Sequence, residues 1–232
     1  MAVKSVYLPD PSIRNNRIHI SGDEHRHLMV ARAQPNEFVE VFDGKGGVWT
    51  AAVESTRRHE TVAHVVESRQ IRRDPIELVL ALALIRTTAF ELALEKVAEV
   101  GITRIVPFMS QRSNVVAGNR HERWFRILIE AAKQSKQYYL PGLDSLLSFE
   151  DVLTIPAVSK ILFAERDGRP LKSALAGSPA LYLVGPEGGW TDREVSAARD
   201  SGFHEVSLGA SILKAETAAI VGAALIRYEL GK

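Results

Sequence analysis

The chain of 232 residues contains no cysteine, which excludes disulfides and cysteine-ligated metals and is compatible with a reducing compartment. It has no dominant charge: 29 Lys and Arg face 28 Asp and Glu, for a formal net charge of +1. Such a balance gives no global attraction to a polyanion, so any nucleic-acid surface has to be regional. Long apolar runs are missing as well. The longest, LVLALALI, falls far short of the ~20 residues that cross a bilayer. The opening residues, MAVKSVYLPDPSIRNN, carry no apolar stretch of the signal-peptide kind. The expectation is a soluble, cytoplasmic protein with no membrane partner. Hydrophobic residues at 46% and charged residues at 25% lie in the globular range, so an ordered core is expected.

Familiar ligand motifs are absent too. There is no Gly-x-x-x-x-Gly-Lys-Ser/Thr, and the glycine spacing is not that of a dinucleotide fold. SILK, Ser211 to Lys214, has Ser-x-x-Lys spacing but lacks the Ser-Asp-Asn and Lys-Thr-Gly partners of penicillin-binding enzymes. His59 and His64 are five apart, whereas a zinc-protease helix needs four. His25 and His27 lack a third ligand and read as surface or RNA-facing residues. No metal is expected.

What is present falls into two textures. From Val3 to about Val66, short β-rich segments alternate with turn signals, and FVEVFDGKGGVWTAAV reads as a hairpin in which Val39, Val41, Val48 and Thr50 alternate across a glycine-rich turn. A small barrel is the expected unit. After the charged linker RQIRRDP the segments lengthen. ELVLALALI is apolar throughout, as in a strand covered on both faces. Phe90, Ala93, Leu94, Val97 and Ala98 then repeat at helical spacing, with Gly101 at the C-terminal cap. ITRIVPF, KILFAE, ALYLV and HEVSLG are further strand candidates; Arg120 to Tyr138 and Ala215 to Leu230 are helical, and Thr191 with Glu194 forms a capping box. Gly222, inside the last helix, predicts a very close packing partner, because glycine costs about 1 kcal/mol there. Strands alternating with helices predict an α/β domain with a mainly parallel sheet.

In open α/β sheets, ligands bind at loops leaving the carboxyl ends of strands. GPEGG, Gly185 to Gly189, holds such a position between ALYLV and the Thr191 cap. Its glycines permit positive φ and close approach to the backbone, so it reads as a ligand cradle or as a plain strand-to-helix turn. A second glycine turn, SLGASILKAETAAIVGAALI, again runs from strand to a helix of small residues.

Together, LVGPEGGWTDREV and VSLGASILKAETAAIVGAAL resemble the signature of the SPOUT methyltransferases, and closely that of the RsmE family of 16S rRNA uridine-N3 methyltransferases. FDGKGG, LEKVAEVGITRIVPF, QRS and RWFRILIEAAKQS extend the resemblance over nearly the whole chain. It implies a PUA-like, RNA-binding β-barrel over residues 1–72, followed at 73–232 by an α/β methyltransferase domain tied in a trefoil knot, a rare exception to unthreaded connections. It implies S-adenosylmethionine as cofactor, held by Leu162, Phe163, Ala164 and Glu165, by Gly185, Pro186, Glu187, Gly188 and Gly189, and by Leu208, Gly209, Ile212, Leu213 and Ala218. The implied partners are 16S rRNA or the 30S subunit and a second copy of the chain, which the Ala/Gly-rich last helix suits.

Uracil N3 must lose its proton to attack a sulfonium methyl, and a cation near O2 or O4 would stabilise the developing anion. Lys214 is the candidate, standing where the family usually carries arginine; Glu216 and Thr217 either bind substrate or open the last helix. For RNA, Arg32, Arg86 and Arg112 align with basic positions of the family, and Lys133, Gln134 and Ser135 match its helix-to-loop segment. Tyr138 and Tyr139 either stack on the target base or pack in the core or a dimer seam. LGASILK departs from the family's Leu-Gly-Pro-Arg-Ile-Leu-Arg, and lysine for arginine loses the bidentate fork. Two alternatives are a non-catalytic RNA-binding dimer and a methyltransferase acting on another RNA position.

Overall fold

The computed structural model describes residues 3–113, 118, 120–164 and 168–231. The chain divides into two units, Met1–Arg73 with Ala132–Leu140, and Asp74–Ala131 with Pro141–Lys232. The segment 132–140 therefore groups with the first unit, although a sequence boundary at 72/73 assigns it to the second.

In the first unit, β1 (Lys4–Tyr7), β2 (Ile13–Arg14), β3 (Arg17–Ser21), β4 (Phe38–Phe42), β5 (Gly47–Thr56) and β6 (Glu60–Gln70) form one sheet in the order β1-β4-β5-β6-β3-β2. β1 runs parallel to β4, and the other pairs are antiparallel. The hairpin read from FDGKGG is there: β4 and β5 pair Val41 with Trp49 and Phe42 with Val48. Asp43 closes its turn by accepting the N–H of Lys45 at 2.7 Å and of Gly47 at 2.9 Å. The expected alternation stops at Thr50, because a register shift between Thr50 and Ala51 moves the buried phase to Ala51 and Val53. The core joins Val6, Ile18, Ile20, Leu28, Val39 and Val41.

Helix α1 (Gly22–Val30) covers this core with only His25 and Leu28 buried. His25 is thus not a surface residue; it is 6% exposed and its Nδ1 lies 3.0 Å from Thr61 Oγ1. His27 is exposed as expected. Tyr138 packs edge-on against Phe42, ring centroids 6.0 Å apart, and Tyr139 donates its hydroxyl to the carbonyl of Ile71. Both tyrosines are packing residues.

In the second unit a parallel sheet runs β10-β8-β7-β12-β11-β13, with β9 beside β8. The strands are β7 (Leu78–Ala83), β8 (Arg104–Met109), β9 (Gly142–Leu143), β10 (Leu147–Ser148), β11 (Ser159–Phe163), β12 (Ala180–Val184) and β13 (His204–Val206). The connecting helices are α2 (Thr87–Val100), α3 (His121–Ser135, its last residues belonging to the first unit), α4 (Phe149–Leu153), α5 (Leu171–Ala174), α6 (Asp192–Asp200) and α7 (Ala215–Leu230). The sheet is parallel, as expected. Side chains alternate across it: Leu78, Leu80, Leu82, Ala180, Tyr182 and Val184 pack with α2 and α7, while Val79, Ala81, Ala83, Leu181 and Leu183 pack with α4 and α6.

Gly222 has the close partner its sequence position predicted. A Cβ there would come 2.3 Å from Phe163 Cε2, so α7 seats directly on β11. Tyr182 donates its buried hydroxyl to the carbonyl of Ala219 at 3.0 Å on the same face. The small-residue stripe Ala219, Gly222 and Ala223 is consequently consumed inside this unit and is not a surface for a second copy.

Candidate active site

The central strands β7 and β12 are neighbours, yet their outgoing connections diverge: β7 leads through α2 to β8, and β12 through α6 to β13, outside β11. That divergence leaves a crevice at the carboxyl ends of the strands, the usual ligand position in open α/β sheets. A cavity of about 360 Å³ lies there, within the range typical of small-molecule sites.

Three chain segments line it: Phe163 and Ala164 at the end of β11, Val184 to Glu187 with Gly189 and Trp190 at and beyond the end of β12, and Ser207, Leu208 and Ser211 to Glu216 after β13, with Ala218 and Arg86 completing the wall. The second segment is a tight turn, with the Gly189 N–H donating to the carbonyl of Pro186 at 2.9 Å and Gly189 at φ +69°. Glycine is required at 185 because a Cβ would stand 2.8 Å from Trp190 Cε2. The indole of Trp190 folds over the turn, stacks on Phe108 at 6.1 Å and donates its N–H to the carbonyl of Phe163 at 2.9 Å. The first two segments are thereby joined.

Charged groups stand at the rim. The Arg86 backbone N–H and Nε both donate to Glu187 Oε1, at 3.2 and 3.4 Å, linking the ends of β7 and β12. Lys214 is the N-cap of α7, and its carbonyl accepts the Ala218 N–H at 2.8 Å. A cation at a helix N-terminus opposes the helix dipole, so local stability does not explain a lysine there. Neither its ammonium nor the Glu216 carboxylate has a side-chain partner among the described residues.

Behind the turn, Glu194 is buried and fully hydrogen-bonded. Its Oε1 accepts from the Ser110 hydroxyl at 2.7 Å and the Gln111 N–H at 2.9 Å; its Oε2 accepts from the Thr191 N–H and hydroxyl, each at 2.9 Å. Burial pushes this carboxyl up, but the N–H groups of Thr191 and Gln111 and the two hydroxyls more than reverse that, holding it below its ordinary value. The capping box expected from Thr191 and Glu194 is present.

The sequence-predicted residues divide accordingly. Phe163, Ala164, Gly185, Pro186, Glu187, Gly189, Leu208, Ile212, Leu213, Lys214, Glu216 and Ala218 meet at the cavity. Leu162 is buried on the opposite sheet face, and Gly188, Gly209 and Thr217 are outside the lining. Glu165 lies outside the described residues. Arg86, read as an RNA contact, lines the cavity, whereas Arg112 donates Nη1 to the carbonyls of Gly188 and Trp190. In the first unit, Arg32 and Gln134 are exposed and Ser135 is half-buried. Lys133 departs from the RNA-facing expectation: it is 7% exposed, with Nζ 3.2 Å from both carboxylate oxygens of Glu24. Sequence reading missed Trp190, Val184, Ser207 and Ala215 as lining. Trp190 carried a signal, since a large aromatic directly follows the glycine turn.

Comparison with known proteins agrees with this geometry. A family profile described as RNA methyltransferase domain matches residues 72–227, and one described as RNA methyltransferase PUA domain matches residues 20–63. Ribosomal RNA small subunit methyltransferase E of Synechocystis sp. is 33% identical, the match covering 97% of this chain and 77% of that protein. Its counterpart in Rickettsia conorii is 28% identical over 98% of this chain and 96% of that protein. The crystal structure of ribosomal RNA small subunit methyltransferase E from Neisseria gonorrhoeae, bound to S-adenosyl methionine, superposes with a TM-score of 0.91 at 29% identity, covering 98% of both chains.

Proposed function

This chain belongs to the ribosomal RNA small subunit methyltransferase E family, and from that premise we propose that it methylates N3 of a uridine in 16S rRNA with S-adenosylmethionine as donor. The observation that carries the proposal is the meeting of three strand-end turns on one cavity. The residues fit the donor: Phe163, Leu208, Leu213 and Ala218 offer apolar surface for an adenine ring, and the bare Gly185 lets a ligand reach main-chain groups. When bound, S-adenosylmethionine supplies an electrophilic methyl group on a sulfonium.

The chain's own residues do the rest. Lys214, at the cavity rim and without a side-chain partner among the described residues, stabilises negative charge on the uracil carbonyl oxygens as N3 loses its proton. Glu216, in the first turn of α7, binds the base or its ribose. The turn after β12 excludes water and fixes the approach line, and such alignment is worth a large part of the barrier. Arg32, Arg86, Gln134 and Ser135 hold the RNA backbone, and a paired target base has to be exposed or flipped out. The protein acts in the cytoplasm on 16S rRNA or the 30S subunit, with the domain tied in a trefoil knot, as a homodimer. Leu92 on α2 and Leu225 on α7, 43% and 41% exposed, support a second copy covering that side.

The test is mass spectrometry of small-subunit rRNA from cells with and without the protein. Loss of N3-methyluridine, restored by the wild-type chain, is expected; an unchanged level excludes the assigned target. Sedimentation at micromolar concentration checks the dimer, and a monomer contradicts it.

A further inference from the structure

Arg112 and Glu194 hold the glycine turn from outside the cavity. Arg112 Nη1 donates to the carbonyls of Gly188 and Trp190, at 2.9 and 3.2 Å. These carbonyls flank Gly189, the positive-φ residue of the turn. The approach is close: a Cβ on Gly188 would stand 3.1 Å from Arg112 Cβ. Arg112 is itself held in place by its chain neighbours. The Gln111 N–H and Ser110 hydroxyl are fixed on Glu194 Oε1, while the other oxygen of the same carboxylate takes the Thr191 N–H and hydroxyl, just after Trp190. One buried carboxylate thus ties the chain leaving β8 to the chain leaving β12, and the next residue along returns a guanidinium to the turn.

Resting on the proposed function, we infer that Arg112 and Glu194 are positioning residues that lock the Gly185–Trp190 turn in its ligand-receiving shape. Arginine suits this task because its N–H groups are set in a rigid plane that can serve two carbonyls at once. Neither residue lines the cavity, so neither need touch the donor. The arrangement assigns Arg112 a duty separate from the RNA contact that its sequence position suggested.

Amide exchange of the full chain without ligand tests the clasp, and titration with S-adenosylmethionine tests what it is for. In Arg112→Ala, the Gly189 amide is expected to exchange about tenfold faster, with the Leu80 and Leu82 amides of β7 unchanged, as local opening within an intact fold requires. Glu194→Gln, which replaces an acceptor oxygen by a donor, is expected to loosen the same amide. Arg26→Ala, a charge loss on α1, leaves it alone. Arg112→Lys keeps stem and charge but has no fork; a smaller acceleration is expected, and this variant carries the test if the alanine form does not fold. The dissociation constant for the donor is expected to rise about tenfold in Arg112→Ala, because a loosened site loses preorganisation, and the rise is expected to be smaller in Arg112→Lys. Unchanged Gly189 exchange overturns the clasp. Faster exchange with unchanged donor affinity overturns its positioning role. A wild-type chain that binds no donor instead sinks the functional reading, while the exchange result still decides whether the turn is clasped.

Discussion

The indole N–H of Trp190 donates to the main-chain carbonyl of Phe163 at 2.9 Å, fastening the turn after β12 to the end of β11. Because Gly222 of α7 packs on the Phe163 ring, one phenylalanine connects the glycine turn to the helix that opens at Lys214. The cavity wall is therefore a single mechanical unit, and changes at its joints are expected to register as ligand affinity as well as stability.

Trp190→Phe keeps an aromatic ring over Gly185 but removes the N–H. A loss of about 1 kcal/mol is expected from the missing hydrogen bond, together with weaker donor binding. Urea denaturation and calorimetry check the two effects separately.

Gly185→Ala puts a methyl group 2.8 Å from the Trp190 ring. The indole has to move, and overpacking of this kind costs about 1–3 kcal/mol. Donor binding is expected to be lost while far-UV circular dichroism stays that of the wild type. Gly185 is the sharper position for this experiment than Gly188, which faces Arg112 and is outside the cavity lining.

Gly222→Ala reverses the sign of a general rule. Alanine in a helix is ordinarily better than glycine by about 1 kcal/mol, but here the new Cβ would meet Phe163 Cε2 at 2.3 Å. The expected outcome is a net destabilisation of about 1–3 kcal/mol, read as a lower melting temperature. A melting temperature equal to or above wild type would show that Phe163 yields without cost.

Much of this architecture is legible in the sequence. ALYLV and the last helix fall at Ala180–Val184 and Ala215–Leu230 because an unbroken apolar run and a long run of small and apolar residues each admit few alternatives. Helix α1 is not legible: Ser21 makes no side-chain cap, and with only His25 and Leu28 buried there is no apolar stripe to betray a helical period. The two-residue strands β9 and β10 are too short to carry any pattern. At the site, the glycine turns mark the segments, but not what they touch. That Lys133 is buried follows from Glu24, 109 residues away, and that Gly222 seats on Phe163 follows from the sheet order.

Glu194 gives the stability an acid limb. Its carboxyl is held below the ordinary value in the folded state, so its contribution is complete above the unfolded glutamate value of about 4.3. The contribution is lost as pH falls from there through the lower folded value. Urea denaturation across this range is expected to show a steeper acid loss in the wild type than in Glu194→Gln, which is less stable at neutral pH but flatter below it. Parallel profiles would mean that the carboxylate is not linked to folding.

Lys214→Ala removes a cation from the rim and no packing. Turnover is expected to fall by about 10²-fold, the usual cost of one charge-stabilising donor, with the donor dissociation constant within about threefold of wild type. Single-turnover methylation and calorimetry on the same preparation check the split; an equal loss in both would make Lys214 a binding residue.

The central claim is that the turns after β11, β12 and β13 together enclose a methyl donor, and calorimetric titration of S-adenosylmethionine into the wild-type full chain tests it most directly. The expected result is saturable binding with a micromolar dissociation constant that Gly185→Ala abolishes. No heat at saturating protein, or undiminished binding by Gly185→Ala, would contradict it.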